Sequence, residues 1–155
     1  MSKAFTREDD GGGTAELPER IISSQPNLVT AEGLAAIDAE IDEHSRRQSE
    51  AHAAEDRDAA ARAARELRYW KIRRASAQLM PAPADAGEVR FGATVTIERE
   101  DGRRSTWRIV GEDEADPAQG TVSHVAPLAR ALMGKRVGDG VMVGASEAQI
   151  VSISA

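Results

Sequence analysis

Apolar residues first recur at helical spacing at Leu34, Ile37 and Ile41. Intervals of three and four put them on one face of an amphipathic helix. Thr30 stands where such a helix wants an N-cap, but Gly33 occupies the position at which a capping box would carry Glu or Gln. His44 and Gln48 continue the apolar line in polar form, so the stripe weakens toward Glu50. From Ala51 to Ala64 almost every residue is Ala or charged, which gives high helix propensity. One continuous helix fits this stretch, as does a hairpin turning between Ala54 and Asp58. We favour the hairpin, because Asp56 suits the N-cap of a second helix and Asp58 its first turn. That helix sets Ala60, Ala63, Leu67 and Trp70 against the first stripe in antiparallel order. The large residues, with Trp70 closing the contact, fall at the base of the hairpin and the alanines at its tip.

Pro81 and Pro83 end the second helix, and residues 81–87 read as a linker. The period then changes from helical to alternating. Ala93 to Ile97 and Ser105 to Val110 are expected to be strands around an Asp101-Gly102 hairpin turn. An acidic loop, Glu112 to Asp116, precedes a short strand from Thr121 to Val125. Pro127 suits the first turn of a helix over Leu128 to Met133, which Gly134 stops. Val141 to Val143 and Gln149 to Ile153 are expected as closing strands. The fold class is therefore α+β: a helical hairpin over 28–80, then a small, mostly antiparallel sheet with one short helix over 88–155. Residues 1–27, with Gly11-Gly12-Gly13 and Pro18 and Pro26, read as a flexible tail.

Composition narrows the function classes. The chain has 155 residues and no cysteine, so disulfides and thiolate metal sites are excluded. Its three histidines, His44, His52 and His124, have no metal-ligand spacing. The polar N-terminus lacks the apolar core of a signal peptide, and no apolar run is long enough to cross a bilayer. A cytoplasmic protein with no membrane partner is expected. The formal net charge of −6 argues against a general DNA-coating role. Yet Arg57, Arg62, Arg65, Arg68, Lys71, Arg73 and Arg74 crowd one segment. They form either a solvated helix face or a surface that follows nucleic acid or an acidic wall.

Three stretches carry a more specific message: Phe91-Gly92-Ala93-Thr94-Val95, then Arg108 through Asp116, then Pro127 through Lys135 followed by Gly138-Asp139. In order and spacing they resemble the C-terminal half of Gre-type transcription elongation factors, and Ser76-Ala77-Gln78-Leu79 resembles the end of the Gre coiled coil. The resemblance implies an FKBP-like C-terminal domain behind an antiparallel coiled coil. It also implies a monomer that binds bacterial RNA polymerase at its secondary channel, close to the DNA and RNA of the elongation complex. Val125, Ala126 and Pro127, with Asp113 and Asp116, fall where the family meets the polymerase. Arg57, Arg62, Arg65 and Arg68 become candidates for a channel-facing or nucleic-acid-facing surface.

In the family, acidic residues at the coiled-coil tip help the polymerase hold a second Mg²⁺ and cut its own transcript, a two-metal chemistry. The tip motif of that mechanism is not found here. The candidate tip acids are Glu55, Asp56 and Asp58, which otherwise serve as ordinary helix-start residues. Relative to the family, both arms are shorter, by roughly eight and ten residues, so the tip falls short by roughly 12 to 15 Å. The expected function is thus elongation control by channel occupancy, without intrinsic catalysis, cofactor or resident metal. The alternative is transcript-cleavage stimulation with Mg²⁺ shared with the polymerase. The short hairpin also resembles that of the regulator of nucleoside diphosphate kinase. Prolyl isomerase activity is set aside, because the sheet offers only Phe91 and Trp107 to line an aromatic pocket.

Overall fold

The computed structural model describes residues 17–155. The Gly11–Gly13 part of the expected tail lies outside the described residues. Strand β1 (Leu28–Val29) leads into helix α1 (Ala31–Ala53), which turns back as α2 (Arg57–Ser76). Thr30 caps α1 by accepting from the Gly33 amide at 3.0 Å, and Asp56 caps α2 by accepting from the Ala59 amide at 3.0 Å. Between the helices the chain reverses in three residues, with Glu55 in the left-handed region at φ 56°. The hairpin form is therefore realised at the expected turn. Gly33, Ile37, His44 and Ala51 of α1 are buried, as are Ala60, Ala63 and Leu67 of α2. Small residues let the arms approach near the tip, where burial stabilises the pair least.

The second helix ends earlier than the prolines require. After Ser76 the chain becomes extended, and β2 (Gln78–Leu79) pairs parallel to β1, Leu28 opposite Gln78 and Val29 opposite Leu79. Asn27 explains the stop. Its side-chain amide donates to the Arg73 carbonyl at 2.8 Å and to Ser76 Oγ at 3.1 Å, satisfying groups that the helix end leaves free.

The second unit is a five-stranded sheet. Its strands are β3 (Thr94–Arg99), β4 (Arg104–Val110), β5 (Thr121–Ser123), β6 (Gly140–Val143) and β7 (Ser146–Ser154), in the order β5-β4-β3-β7-β6. All pairs are antiparallel except β4 with β5. Alternation decides the faces: Val95 and Ile97 are fully buried while Thr94 and Thr96 are half-exposed. Helix α3 (Pro127–Leu132) closes the core with Ala129 and Leu132, against Ile109, Val141 and Ile150. The loop after it is stitched to the linker side, since the Val89 amide donates to the Lys135 carbonyl and the Gly134 amide to the Val89 carbonyl, both at 2.8 Å.

Candidate functional site

Three places carry candidate chemistry: the loop joining the two units, the surface beside it, and the hairpin tip. The loop is Gly111 to Asp116, just after β4. Asp113 and Glu114 reach different arms of the hairpin. Asp113 accepts from Arg73 Nε at 2.6 Å and from the Tyr69 hydroxyl, both on α2. Arg73 is only 2% exposed, and its Nη2 also donates to Asn27 Oδ1 at 2.7 Å. Glu112 Oε2 stands 3.6 Å from the same guanidinium. A buried arginine of this kind is tolerable because its Nε and Nη2 meet the Asp113 carboxylate and the Asn27 amide oxygen, with Glu112 close by.

Glu114 serves the other arm. Its Oε2 accepts from the Thr30 amide and from the Gly111 amide, each at 3.0 Å, and its Oε1 accepts from the Thr30 hydroxyl. The carboxylate thus satisfies the N-cap amide of α1, the bond that a Glu at position 33 would make in a capping box. The incomplete capping box is completed from the second unit. Gly33 is the space for it, since a Cβ there would fall 2.0 Å from the Glu114 carboxyl carbon.

Electrostatics follow from this packing. Burial pushes the pKa of the Tyr69 hydroxyl up to about 12, with help from the Asp113 carboxylate that accepts its hydrogen bond. His124 lies at the same junction, edge-on to Phe91 with centroids 5.6 Å apart. Burial holds its pKa below the usual imidazole value, against the opposing pull of Glu112.

The sequence-derived surface residues divide. Pro127 is exposed at the first turn of α3, Val125 and Ala126 are half-buried beside it, and Asp116 is exposed. Asp116 is partly committed, accepting from the Ala118 amide at 3.1 Å. Asp113 is turned inward: its carboxylate accepts from Arg73 and Tyr69, and its side chain is 10% exposed. Its acidity reads as surface chemistry in the sequence because the buried arginine it neutralises lies forty positions earlier.

On the hairpin, α1 carries six acidic residues and two arginines, whereas α2 carries two acidic residues and seven Lys or Arg. The two arms therefore present opposite charge. Arg57 and Arg62 are exposed and Arg65 is half-buried. Arg62 and Arg65 line a groove of about 680 Å³ that runs toward the tip beside His44 and Ala63. Arg68 is exposed but engaged by Glu19. At the tip, Glu55, Asp56 and Asp58 are all exposed. The Asp56 carboxylate is occupied on one oxygen by its own helix. Among the described residues no group of three or more His, Asp or Glu is arranged to hold a metal ion, and no helix is long and apolar enough to cross a membrane.

Two features escaped the sequence reading. Arg73 was one basic residue among seven, and its burial carries no local signal. Residues 17–27, read as tail, are instead laid against the hairpin base: Arg20 pairs with Glu66 at 2.7 Å, Ser23 donates to Glu112 at 2.9 Å, and Asn27 is buried.

Comparison with known proteins places this arrangement. Residues 84–155 match the family model "Transcription elongation factor, GreA/GreB, C-term". Transcription elongation factor GreB of Pseudomonas aeruginosa is 39% identical over 135 residues, covering 75% of this chain and 80% of that protein. GreA of Alkalilimnicola ehrlichii is 52% identical over 79 residues, but the chain spans only 50% of its length. For GreA of Chloroflexus aggregans the span is 39%. Among solved structures, the GreA factor homolog Gfh1 of Thermus thermophilus aligns over 84% of this chain and 100% of its own, with 19% identity and a TM-score of 0.42.

Proposed function

The chain belongs to the GreA/GreB family of transcription elongation factors, and on that premise we propose that it binds bacterial RNA polymerase at its secondary channel through the 88–155 unit and inserts the short hairpin. It acts as a cytoplasmic monomer with no catalytic activity of its own. The observation that carries this reading is the joint between the units. Arg73 and Glu114 tie both arms to one loop, and β5 and Val125–Pro127 follow that loop after a single 3-10 turn at Pro117–Gln119. A partner gripping the Pro127 surface thereby sets the direction of a hairpin whose first arm, 23 residues long, spans about 34 Å. The docking surface consists of Val125, Ala126, Pro127 and Asp116. Arg57, Arg62 and Arg65 face the channel wall or the nucleic acid.

The second reading is stimulation of transcript cleavage. It is favoured by Glu55, which the left-handed backbone places at the turn of the hairpin beside Asp56. These acids fit a Mg²⁺ only as a minority of its ligands, because Asp56 already caps α2 and Mg²⁺ demands near-octahedral coordination at about 2 Å. When bound, such an ion supplies charge stabilisation and a nucleophilic water. Channel occupancy is the simpler consequence of a short tip with one carboxylate already engaged.

Stalled, backtracked elongation complexes incubated with the protein and Mg²⁺ separate the two. Occupancy predicts unchanged transcript ends and a protein that co-purifies with core polymerase. Shortened RNA that disappears with Asp56→Ala would establish cleavage instead. Pro127→Arg should weaken co-purification severalfold, and unchanged binding would move the contact elsewhere.

A further inference from the structure

Residues 17–26 cross from the hairpin to the second unit without regular secondary structure. Glu19 accepts from Arg68 Nε at 3.0 Å through one oxygen and 3.1 Å through the other, and also meets its Nη2. Arg20 pairs with Glu66 and lies over the Tyr69 ring, its guanidinium carbon 3.6 Å from the centroid and 5.6 Å from that of Trp70. Ser23 then reaches Glu112. Beneath this segment, Tyr69 and Trp70 stand edge to face at 5.0 Å, and Trp70 Nε1 is buried without a hydrogen-bond partner among the described residues.

The way the segment is held matters. Its polar contacts to α2 are ion pairs and a cation–π contact, and of its large apolar residues only Ile22 is half-buried. Ile21 is 92% exposed and Leu17 is exposed as well. The Arg68 and Glu19 side chains remain more than half exposed, so water and salt compete for them. From Asn27 onward the chain is fixed by a buried side chain and by the β1–β2 pairing. The segment is thus firmly tethered at one end and lightly fastened along its length. It covers a basic–aromatic face made of Arg68, Tyr69 and Trp70.

We propose that residues 17–26 form an ionic strap that masks this face in the free protein and is displaced when an acidic surface of the polymerase competes for Arg68. Glu19 is the intramolecular stand-in for that surface: a carboxylate on the same guanidinium. The strap lowers affinity for any partner that must remove it, by the fraction of molecules in which the face is open. This inference rests on the polymerase-docking reading above.

Its test uses the full chain. Because the protein has no cysteine, Ile21→Cys gives a single attachment point for a nitroxide label at an exposed position. In the free protein at low salt the label should be restrained by the strap, and it should gain mobility as salt approaches about 1 M, where screening extends to about 3 Å. Adding core polymerase should mobilise it. Glu19→Gln combined with Arg20→Gln should mobilise it without polymerase and tighten polymerase binding threefold or more. A label already mobile at low salt would overturn the strap. So would a label that stays restrained in a protein that co-purifies with polymerase, or a released variant that binds no tighter. Release by a single-stranded RNA oligonucleotide but not by polymerase would assign the face to nucleic acid and overturn the choice of partner. Failure of wild type and variant alike to bind polymerase would overturn the docking reading and this partner with it, while restraint of the label in the free chain would still report the strap.

Discussion

Gly33 and Glu114 share one volume: the carboxylate of Glu114 occupies the space that a β-carbon at Gly33 would need, 2.0 Å from its carboxyl carbon. The glycine sits in the first turn of α1, where its intrinsic helix propensity is poor, and it is there because the capping carboxylate comes from another unit. Gly33→Ala should therefore destabilise the protein despite improving propensity by about 1 kcal/mol. Displacing Glu114 strips the Thr30 and Gly111 amides of their acceptor, at a cost of about 1–3 kcal/mol per buried group left unsatisfied. Glu114→Ala should cost a similar amount. The double variant should cost no more than Glu114→Ala alone, since the clash is gone. Denaturant unfolding of the four proteins measures the cycle; additive losses would show that the two residues are not coupled.

Arg73 makes a second coupled site. Arg73→Ala should destabilise by about 3–5 kcal/mol, because it leaves Asp113 charged and mostly buried. Arg73→Lys should rescue little, as one ammonium cannot present the planar fork that meets Asp113 and Asn27 together. Arg73→Met with Asp113→Asn should recover part of the loss by removing the stranded charge. Urea midpoints for the three variants decide this, and a stable Arg73→Lys protein would contradict it.

Tyr69 is the single tyrosine in the chain, so phenolate absorbance reports it alone. Its titration should be displaced from about 10 toward about 12. Because the folded value is raised, the associated stability is fully present below pH 10 and is lost as pH rises through 12. Asp113→Asn should lower the midpoint only in part, since burial is the larger cause. A midpoint at 10 in the folded protein would mean that the hydroxyl is not buried against the loop.

His124 sets a pH dependence of opposite sense. Its folded pKa lies below the ordinary 6.5, so the unfolded chain binds the proton more readily. The corresponding stability is present above pH 6.5 and is lost as pH falls through the depressed folded value. Glu112 opposes the shift, while Arg130 and Arg73 favour it. Thermal unfolding at pH 7.5 and 5.5 should show the acid loss, and His124→Gln should flatten the difference. Exposed carboxylates such as Glu19 and Glu32 titrate below this window and leave the comparison clear.

The hairpin and the sheet were legible because their signals are local. Thr30 and Asp56 cap helices through amides three residues away. Asp101-Gly102 turns adjacent strands, and Gly102 adopts the required positive φ of 82°. Val95 and Ile97 point inward because a pleated strand alternates its faces. Pro127 was placed correctly at the start of α3 for the same reason: its ring fixes φ wherever it stands.

The joint was not legible, because its partners are far apart in the chain. A capping box missing its Glu reads as a weak helix start until Glu114 arrives from 84 positions away. Asp113 reads as a surface acid until Arg73 is found buried beneath it. Residues 17–27 read as a tail because they lack periodicity, and polar segments that pair through side chains leave none.

What the sequence by itself determined was the set of elements, the hairpin turn and the family-like C-terminal sheet, all fixed by backbone propensity, hydrophobic period and turn chemistry. The tertiary structure decided which charges are spent inside the molecule and which remain outside. Ionic and hydrogen-bonding groups have no preferred sequence distance; they are satisfied by whatever the fold brings within about 3 Å. For this protein that difference turns the Asp113 carboxylate inward onto Arg73, gives Gly33 its reason, and leaves Pro127 and the hairpin tip exposed.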